Sequence, residues 1–82
     1  QGCFAVESAM NQLADRLGID PVELRLKNIP KVGDPMYAYQ DGPLSSTKLE
    51  ECIRRGREMI GWGDKPLSWQ VDDHTVRGLG MG

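Results

Sequence analysis

The sequence predicts a mainly α fold: a small three-helix domain with a long loop after the second helix and an irregular or short-strand C-terminal tail. Three observations lead there. Apolar side chains recur at helical spacing in three stretches, over about 4–17, 21–28 and 48–60. Residues that start or stop helices bound those stretches. Between the second and third, and again after the third, prolines and glycines replace the periodicity.

In the first stretch Val6, Met10, Leu13 and Leu17, with Ala9 and Ala14 beside them, form one stripe, while Glu7, Ser8, Asn11, Gln12, Asp15 and Arg16 take the other face. Gln1, Gly2 and Cys3 offer no good N-cap, so the start of this helix is poorly marked. Its end is marked well. Gly18 suits a C′ position with positive φ, and Ile19 follows as the hydrophobic C″ residue. Asp20 then fits an N-cap, Pro21 fits N1, and Glu23 at N3 can complete a capping box, with Ile19 and Leu24 placed as a hydrophobic staple. Residues 13–28 therefore specify a helix–corner–helix.

The second helix runs from Pro21 to Lys27 or Asn28, with Val22, Leu26 and Ile29 on one stripe and Leu24 turned toward the first helix. Pro30 stops it, since the residue before a proline is driven out of the α region. Glu23 and Lys27 are spaced for a weak surface pair. Residues 31–46 carry Gly33, Pro35, Gly42 and Pro43 without periodicity and read as an extended loop, with Tyr37 and Tyr39 as its anchors. Ser46 or Thr47 caps the third helix, and Thr47 with Glu50 forms a second capping box. Leu49, Cys52, Ile53, Gly56, Met59 and Ile60 share its apolar face. A glycine at position 56 costs about 1 kcal/mol of helix propensity relative to alanine, which predicts close approach of a neighbouring backbone there. Gly61 ends the helix and Trp62 folds back over its C-cap. The closing run 76–82, VRGLGMG, suits a strand that joins a sheet outside this chain.

Length and composition exclude several classes. An 82-residue chain buries only about 60–65% of the surface its unfolded form exposes, so its core must be thin. With 39% hydrophobic and 27% charged residues the chain is globular rather than disordered, and no apolar run is long enough to span a membrane. Ten Lys and Arg are scattered among twelve Asp and Glu, for a formal net charge of −2, which leaves no electrostatic footprint for nucleic acid or anionic lipid.

Residues with reactive chemistry have ordinary explanations. Cys3 and Cys52 are too few and too far apart for a metal framework. They could pair in an oxidising compartment, but a chain with no secretory signal is expected in the cytoplasm with free thiols, and Cys52 is expected in the core. Gln1 in place of an initiating methionine leads us to expect further residues upstream. Asp72, Asp73 and His74 are adjacent donors that read as a solvated turn rather than a coordination sphere. The glycines at 78, 80 and 82 resemble part of a phosphate loop but lack the following helix that such a loop requires. Glu7 and Glu23 read as a helix-surface and a capping carboxylate. Trp62 and Trp69, with the two tyrosines, read as cover for helix seams.

One block is more specific. Residues 4–28 read FAVESAMNQLADRLGIDPVELRLKN. This resembles the molybdenum-cofactor-binding large subunit of the xanthine dehydrogenase and aldehyde oxidase family, where F-A-x-E leads to D-x-L-A-x-x-L-G-x-D-P-x-E-x-R-x-x-N. Phe4, Ala5 and Glu7 match the opening; Leu13, Ala14, Leu17, Gly18, Asp20, Pro21, Glu23, Arg25 and Asn28 match the run. Asn11 stands near the place where the family often has aspartate. KVGD at 31–34, LEECIRR at 49–55 and RGLG at 77–80 continue the likeness more loosely, and Gln1-Gly2 resembles the end of the family's G-x-G-x-P-Q-G segment.

The resemblance implies a parent enzyme that hydroxylates heterocycles or aldehydes with water-derived oxygen. Molybdopterin-bound molybdenum accepts the electrons, and iron–sulfur centres and FAD in partner domains or subunits carry them away. The family's catalytic glutamate, substrate-orienting arginine and pterin-contacting loops fall outside the resemblance, so no catalytic, cofactor-binding or metal residue is assigned within 1–82. The expectation is one helical domain over 1–82, belonging to a larger molybdenum hydroxylase subunit, inactive alone and partnered by the rest of that subunit and by iron–sulfur and flavin units. The alternative is a free-standing helical module that holds a protein partner through the stripe from Val6 to Leu17 or through the tryptophans.

Overall fold

The corner at Gly18–Pro21 sets the geometry of the whole chain. In the computed structural model, which describes residues 2–35 and 43–82, α1 (Gly2–Leu17) and α2 (Pro21–Asn28) meet there. Gly18 takes φ +63°. The Gly18 N–H donates to the Asp15 carbonyl at 3.1 Å and the Ile19 N–H to the Ala14 carbonyl at 3.0 Å, the two bonds of a Schellman closure. The Asp20 carboxylate then accepts from the Val22 and Glu23 N–H groups at 2.8 and 3.1 Å. Ile29 leaves the helix with extended backbone ahead of Pro30.

The third helix, α3 (Leu49–Met59), closes in the same way as α1. Gly61 has φ +66°, its N–H donates to the Glu58 carbonyl at 3.1 Å, and the Trp62 N–H donates to the Arg57 carbonyl at 3.0 Å. That closure folds the Trp62 ring inward, where it is 6% exposed. Trp62 packs with Val22 and Leu26 of α2, and Ile29, Ile53, Leu79 and Met81 flank the cluster. The core is as thin as the chain length requires, and it sits on α2.

Several expectations need correction. The capping box at Thr47 and Glu50 does not form: Lys48 occupies the N-cap without a side-chain bond, and the Thr47 hydroxyl accepts instead from the Leu49 N–H at 3.3 Å. The Glu23 carboxylate accepts from Arg57 of α3 at 2.5 Å, so it is not spent on the expected pair with Lys27. Cys52 is exposed, not core. A Cβ on Gly56 would meet nothing within 4 Å, so among the described residues no neighbouring backbone approaches it. The stripe of α1 is also largely uncovered, with Val6, Leu13 and Leu17 all exposed. Helical periodicity identifies the face that needs a cover; here the described residues supply little of that cover.

The C-terminal part departs from expectation too. The closing run pairs within this chain: β1 (Ser68–Asp72) and β2 (Thr75–Gly78) form an antiparallel hairpin with Trp69 opposite Arg77 and Gln70 opposite Val76. Asp72–Asp73–His74 make its turn, in which the Asp72 carboxylate accepts from the His74 N–H at 2.9 Å. The Leu79 N–H extends the ladder to the Leu67 carbonyl at 2.8 Å, which carries Leu79 and Met81 back to the core. At the mouth of the long loop, the Gly33 N–H reaches the Leu44 carbonyl and the Leu44 N–H reaches the Asp34 carbonyl. The expected anchors Tyr37 and Tyr39 lie outside the described residues. The molecule measures 55 × 24 × 24 Å, with a radius of gyration of 15.7 Å; a compact chain of this length has about 12 Å.

Candidate functional site

Arg25 is the one charged side chain buried among the described residues, and everything around it is arranged to hold it. It points from α2 toward the opening turns of α1. Nε donates to Glu7 Oε2 at 3.0 Å, and Nη2 donates to the same oxygen at 2.5 Å and to the Glu7 carbonyl at 3.4 Å. Nη1 donates to Asn11 Oδ1 at 2.9 Å and to the Pro21 carbonyl at 3.1 Å. All five N–H groups of the guanidinium are thus engaged. Asn11 in turn donates to the Met81 carbonyl at 3.4 Å, tying the tail to the same clamp.

A second polar point joins the ends of α2 and α3. The Trp62 indole N–H donates to Asp20 Oδ2 at 2.8 Å while Oδ1 caps α2. Burial pushes the Asp20 carboxyl up, but the Trp62 bond, the N–H groups of Glu23 and Val22 and the nearby Arg57 charge outweigh it and hold it below its ordinary value. Asp72 is also held low, by the His74 N–H and the Thr75 hydroxyl in the exposed turn.

Next to the clamp lies a groove of about 570 Å³, open to solvent and predominantly apolar. Val6 and Met10 of α1 form one wall and Leu49, Cys52 and Ile53 of α3 the other. Arg25, Asn28, Ile29 and Pro30 come from the α2 side, and Met81 and Gly82 of the tail also line it.

The residues considered for chemistry in the sequence do not converge. Cys52 lines the groove, and Cys3 is exposed on α1. Asp72, Asp73 and His74 turn the hairpin, while Glu23 pairs with Arg57. Glu7 was expected on an ordinary helix surface and instead holds the buried guanidinium. Sequence reasoning missed that clamp, although Glu7 and Asn11 stand one helical turn apart on a single face, the only local signal available. Among the described residues no three His, Cys, Asp or Glu side chains are placed to hold a metal, and no buried side-chain polar atom lacks a partner. With its buried cation fully engaged and its groove apolar, this set of residues does not fit a molybdopterin site by itself.

Comparison with known proteins explains the pattern. The molybdopterin cofactor-binding domain family matches residues 1–29, the stretch that holds α1, the corner and α2. A xanthine dehydrogenase molybdenum-binding subunit of Escherichia coli O157:H7 is 37% identical over 84 residues, covering 99% of this chain and 11% of that protein. The chain belongs with the molybdenum-binding subunits of the xanthine dehydrogenase and aldehyde oxidoreductase family. An aldehyde oxidoreductase molybdenum-binding subunit of Escherichia coli (strain K12) is 40% identical over 63 residues, covering 74% of this chain and 8% of its own length. An aldehyde oxidoreductase of Megalodesulfovibrio gigas is 53% identical over 34 residues, covering 42% of this chain and 4% of its own. No solved structure matches. The chain spans about a tenth of the length of these curated subunits, and the part shared with the family's cofactor-binding domain contains the Arg25 clamp. Among the described residues no helix is long and apolar enough to cross a membrane.

Proposed function

We propose that this chain is a helical structural segment of a xanthine dehydrogenase- or aldehyde oxidase-like molybdenum hydroxylase, forming one helical unit that packs against and positions the cofactor-binding part of the subunit. The observation that carries this reading is the alignment of 99% of the chain with a molybdenum-binding subunit. The clamp supports it. Arg25, Glu7 and Asn11 lock α1 to α2 inside the stretch matched by the cofactor-binding family, and their polar groups are used on one another rather than left for a ligand.

On this reading the parent hydroxylates a heterocycle or an aldehyde with water-derived oxygen, and molybdopterin supplies the redox chemistry. The rest of the subunit is the immediate partner; iron–sulfur and flavin units take the electrons, in the cytoplasm. The 82 residues themselves hold no catalytic group. Purified chain incubated with molybdopterin and hypoxanthine is expected to retain no cofactor and to turn over no substrate; retention or turnover by these residues alone overturns the structural role. A reading frame that continues on both sides of Gln1 and Gly82 supports the segment, whereas a start codon and a stop codon at those positions favour a free-standing interaction module.

A further inference from the structure

The chain exposes 6734 Å², whereas a folded monomer of its mass exposes about 4,900 Å². The excess of about 1,800 Å² is about twice the area that one partner contributes to a standard protein interface. Two of the exposed large apolar side chains, Val6 and Leu49, line the groove between α1 and α3, where they face Met10, Cys52 and Ile53 across open space. We propose that this groove is the seat of an uncharged apolar segment from the remainder of the same molybdenum-binding subunit, which covers Cys52 and comes close to α3 at Gly56.

Three observations select that occupant. First, the charged groups on the wall, Arg25 and Glu7, are paired with each other, so the groove offers apolar surface without a free charge to attract a charged partner. Second, Gly56 lies in the groove wall inside α3, at a position where glycine weakens a helix relative to alanine. Its φ is not positive and a Cβ there would meet nothing, so neither backbone conformation nor packing within this chain requires glycine. A bare backbone in a groove wall lets a neighbour approach closely. Third, the aligned xanthine dehydrogenase subunit has almost nine-tenths of its length outside the matched part, which supplies chain to fill the groove.

The inference rests on the proposed membership in a larger subunit, and its test separates the two. Cys52 is an exposed thiol in the groove and serves as the probe. The free 82-residue chain and the full-length subunit encoded by its gene are treated with iodoacetamide under native conditions, and alkylation at Cys52 is followed by peptide mass spectrometry. The free chain is expected to react at about the rate of an unfolded control, and Cys52 in the full subunit on the order of 100-fold more slowly, as for a site reached only by local opening. Gly56→Trp in the full subunit, or Val6→Glu on the opposite wall, is expected to restore fast labelling. Equal labelling of free chain and full subunit, in a subunit that carries molybdopterin, overturns the groove proposal alone. A full-length product that binds no molybdopterin in a host that makes it overturns the parent reading. Protection of Cys52 in the free chain that grows with concentration identifies a second copy as the occupant and also overturns the proposal. If either variant fails to accumulate, the comparison of wild-type chain with wild-type subunit still decides.

Discussion

The corner joining α1 to α2 and the apolar face of α3 are built from similar ingredients and reach opposite states. At the corner, backbone and side-chain groups close on one another: Gly18 and Ile19 finish α1, Asp20 starts α2, and Arg25 binds back to Glu7 and Asn11. On α3, the strongly segregated pattern of Leu49, Cys52, Ile53, Met59 and Ile60 leaves all but Ile53 exposed. The difference teaches that an amphipathic stripe and a finished interface are separate achievements. The corner carries its partners within a few residues or across one helix pair; the face of α3 finds little cover among the described residues.

The sharpest way to break the comparison is to open the clamp. Arg25→Leu leaves the Glu7 carboxylate facing an apolar seam without its cation, and breaking a buried pair costs about 3–5 kcal/mol. Arg25 is 10% exposed but Glu7 is 35% exposed, so water recovers part of that cost and about 3 kcal/mol is expected. In a chain this small that is a large share of the total stability, and thermal unfolding followed by circular dichroism is expected to show a lower, broader transition. The double variant Glu7→Leu with Arg25→Leu should recover most of the loss, because it removes both charges. A single variant that melts with the wild type would show that the clamp does not hold the corner.

Gly18→Val comes next. A β-branched residue at φ +63° costs about 1–3 kcal/mol. A Cβ at this site meets nothing, so the loss is conformational rather than steric and Gly18→Asn should lose much less. Equal melting of both variants would assign the effect to something other than backbone conformation.

How far the sequence reveals this molecule follows from the range of its interactions. Gly18, Asp20, Pro21, Gly61 and Trp62 act on backbone within a turn of themselves, and their roles at the ends of the helices are legible directly. The second bond of Asp20 is not, because Trp62 lies 42 positions away, and neither is the pairing of Glu23 with Arg57, 34 positions away. Arg25 looks like any helix-surface cation until the angle at the corner turns it toward Glu7. Of the hairpin the sequence shows only the closing run 76–82 as strand-like, and it points to a sheet outside the chain; Ser68–Asp72 is short and irregular where it passes Gln70 to Asp72, so its pairing with Thr75–Gly78 is hidden. Cys52 and Gly56 mislead for a different reason. Their spacing assigns a face and is silent on what covers it.

Asp20 sharpens the comparison through pH. Asp20→Ala removes the cap of α2, a loss of about 0.5–2 kcal/mol, together with the acceptor for the Trp62 indole. Because the folded carboxyl is held below its ordinary value, the unfolded chain binds the proton more readily in acid. The contribution of Asp20 is therefore complete above the unfolded value near 3.8 and is lost as pH falls through the lower folded value. Urea unfolding at neutral pH and again in acid is expected to show a smaller difference between wild type and Asp20→Asn in acid. An unchanged difference would detach the carboxylate charge from the stability of the corner.

The smallest expected effect is a gain, and it lies on the unfinished side. Gly56 is inside α3, its φ is not positive, and the space a Cβ would fill is empty. Gly56→Ala should therefore stabilise the 82-residue chain by about 0.5–1 kcal/mol through helix propensity and reduced freedom of the unfolded state. Where the proposed segment fills the groove in the full-length protein, the same methyl meets it, so the gain there should shrink or change sign. Thermal melts of both proteins, each with and without the substitution, give four numbers whose cross-difference isolates the groove from the helix. A gain of equal size in both contexts would mean that α3 stays open at Gly56 in the full-length protein. A gain confined to the short chain would place the missing cover at that residue.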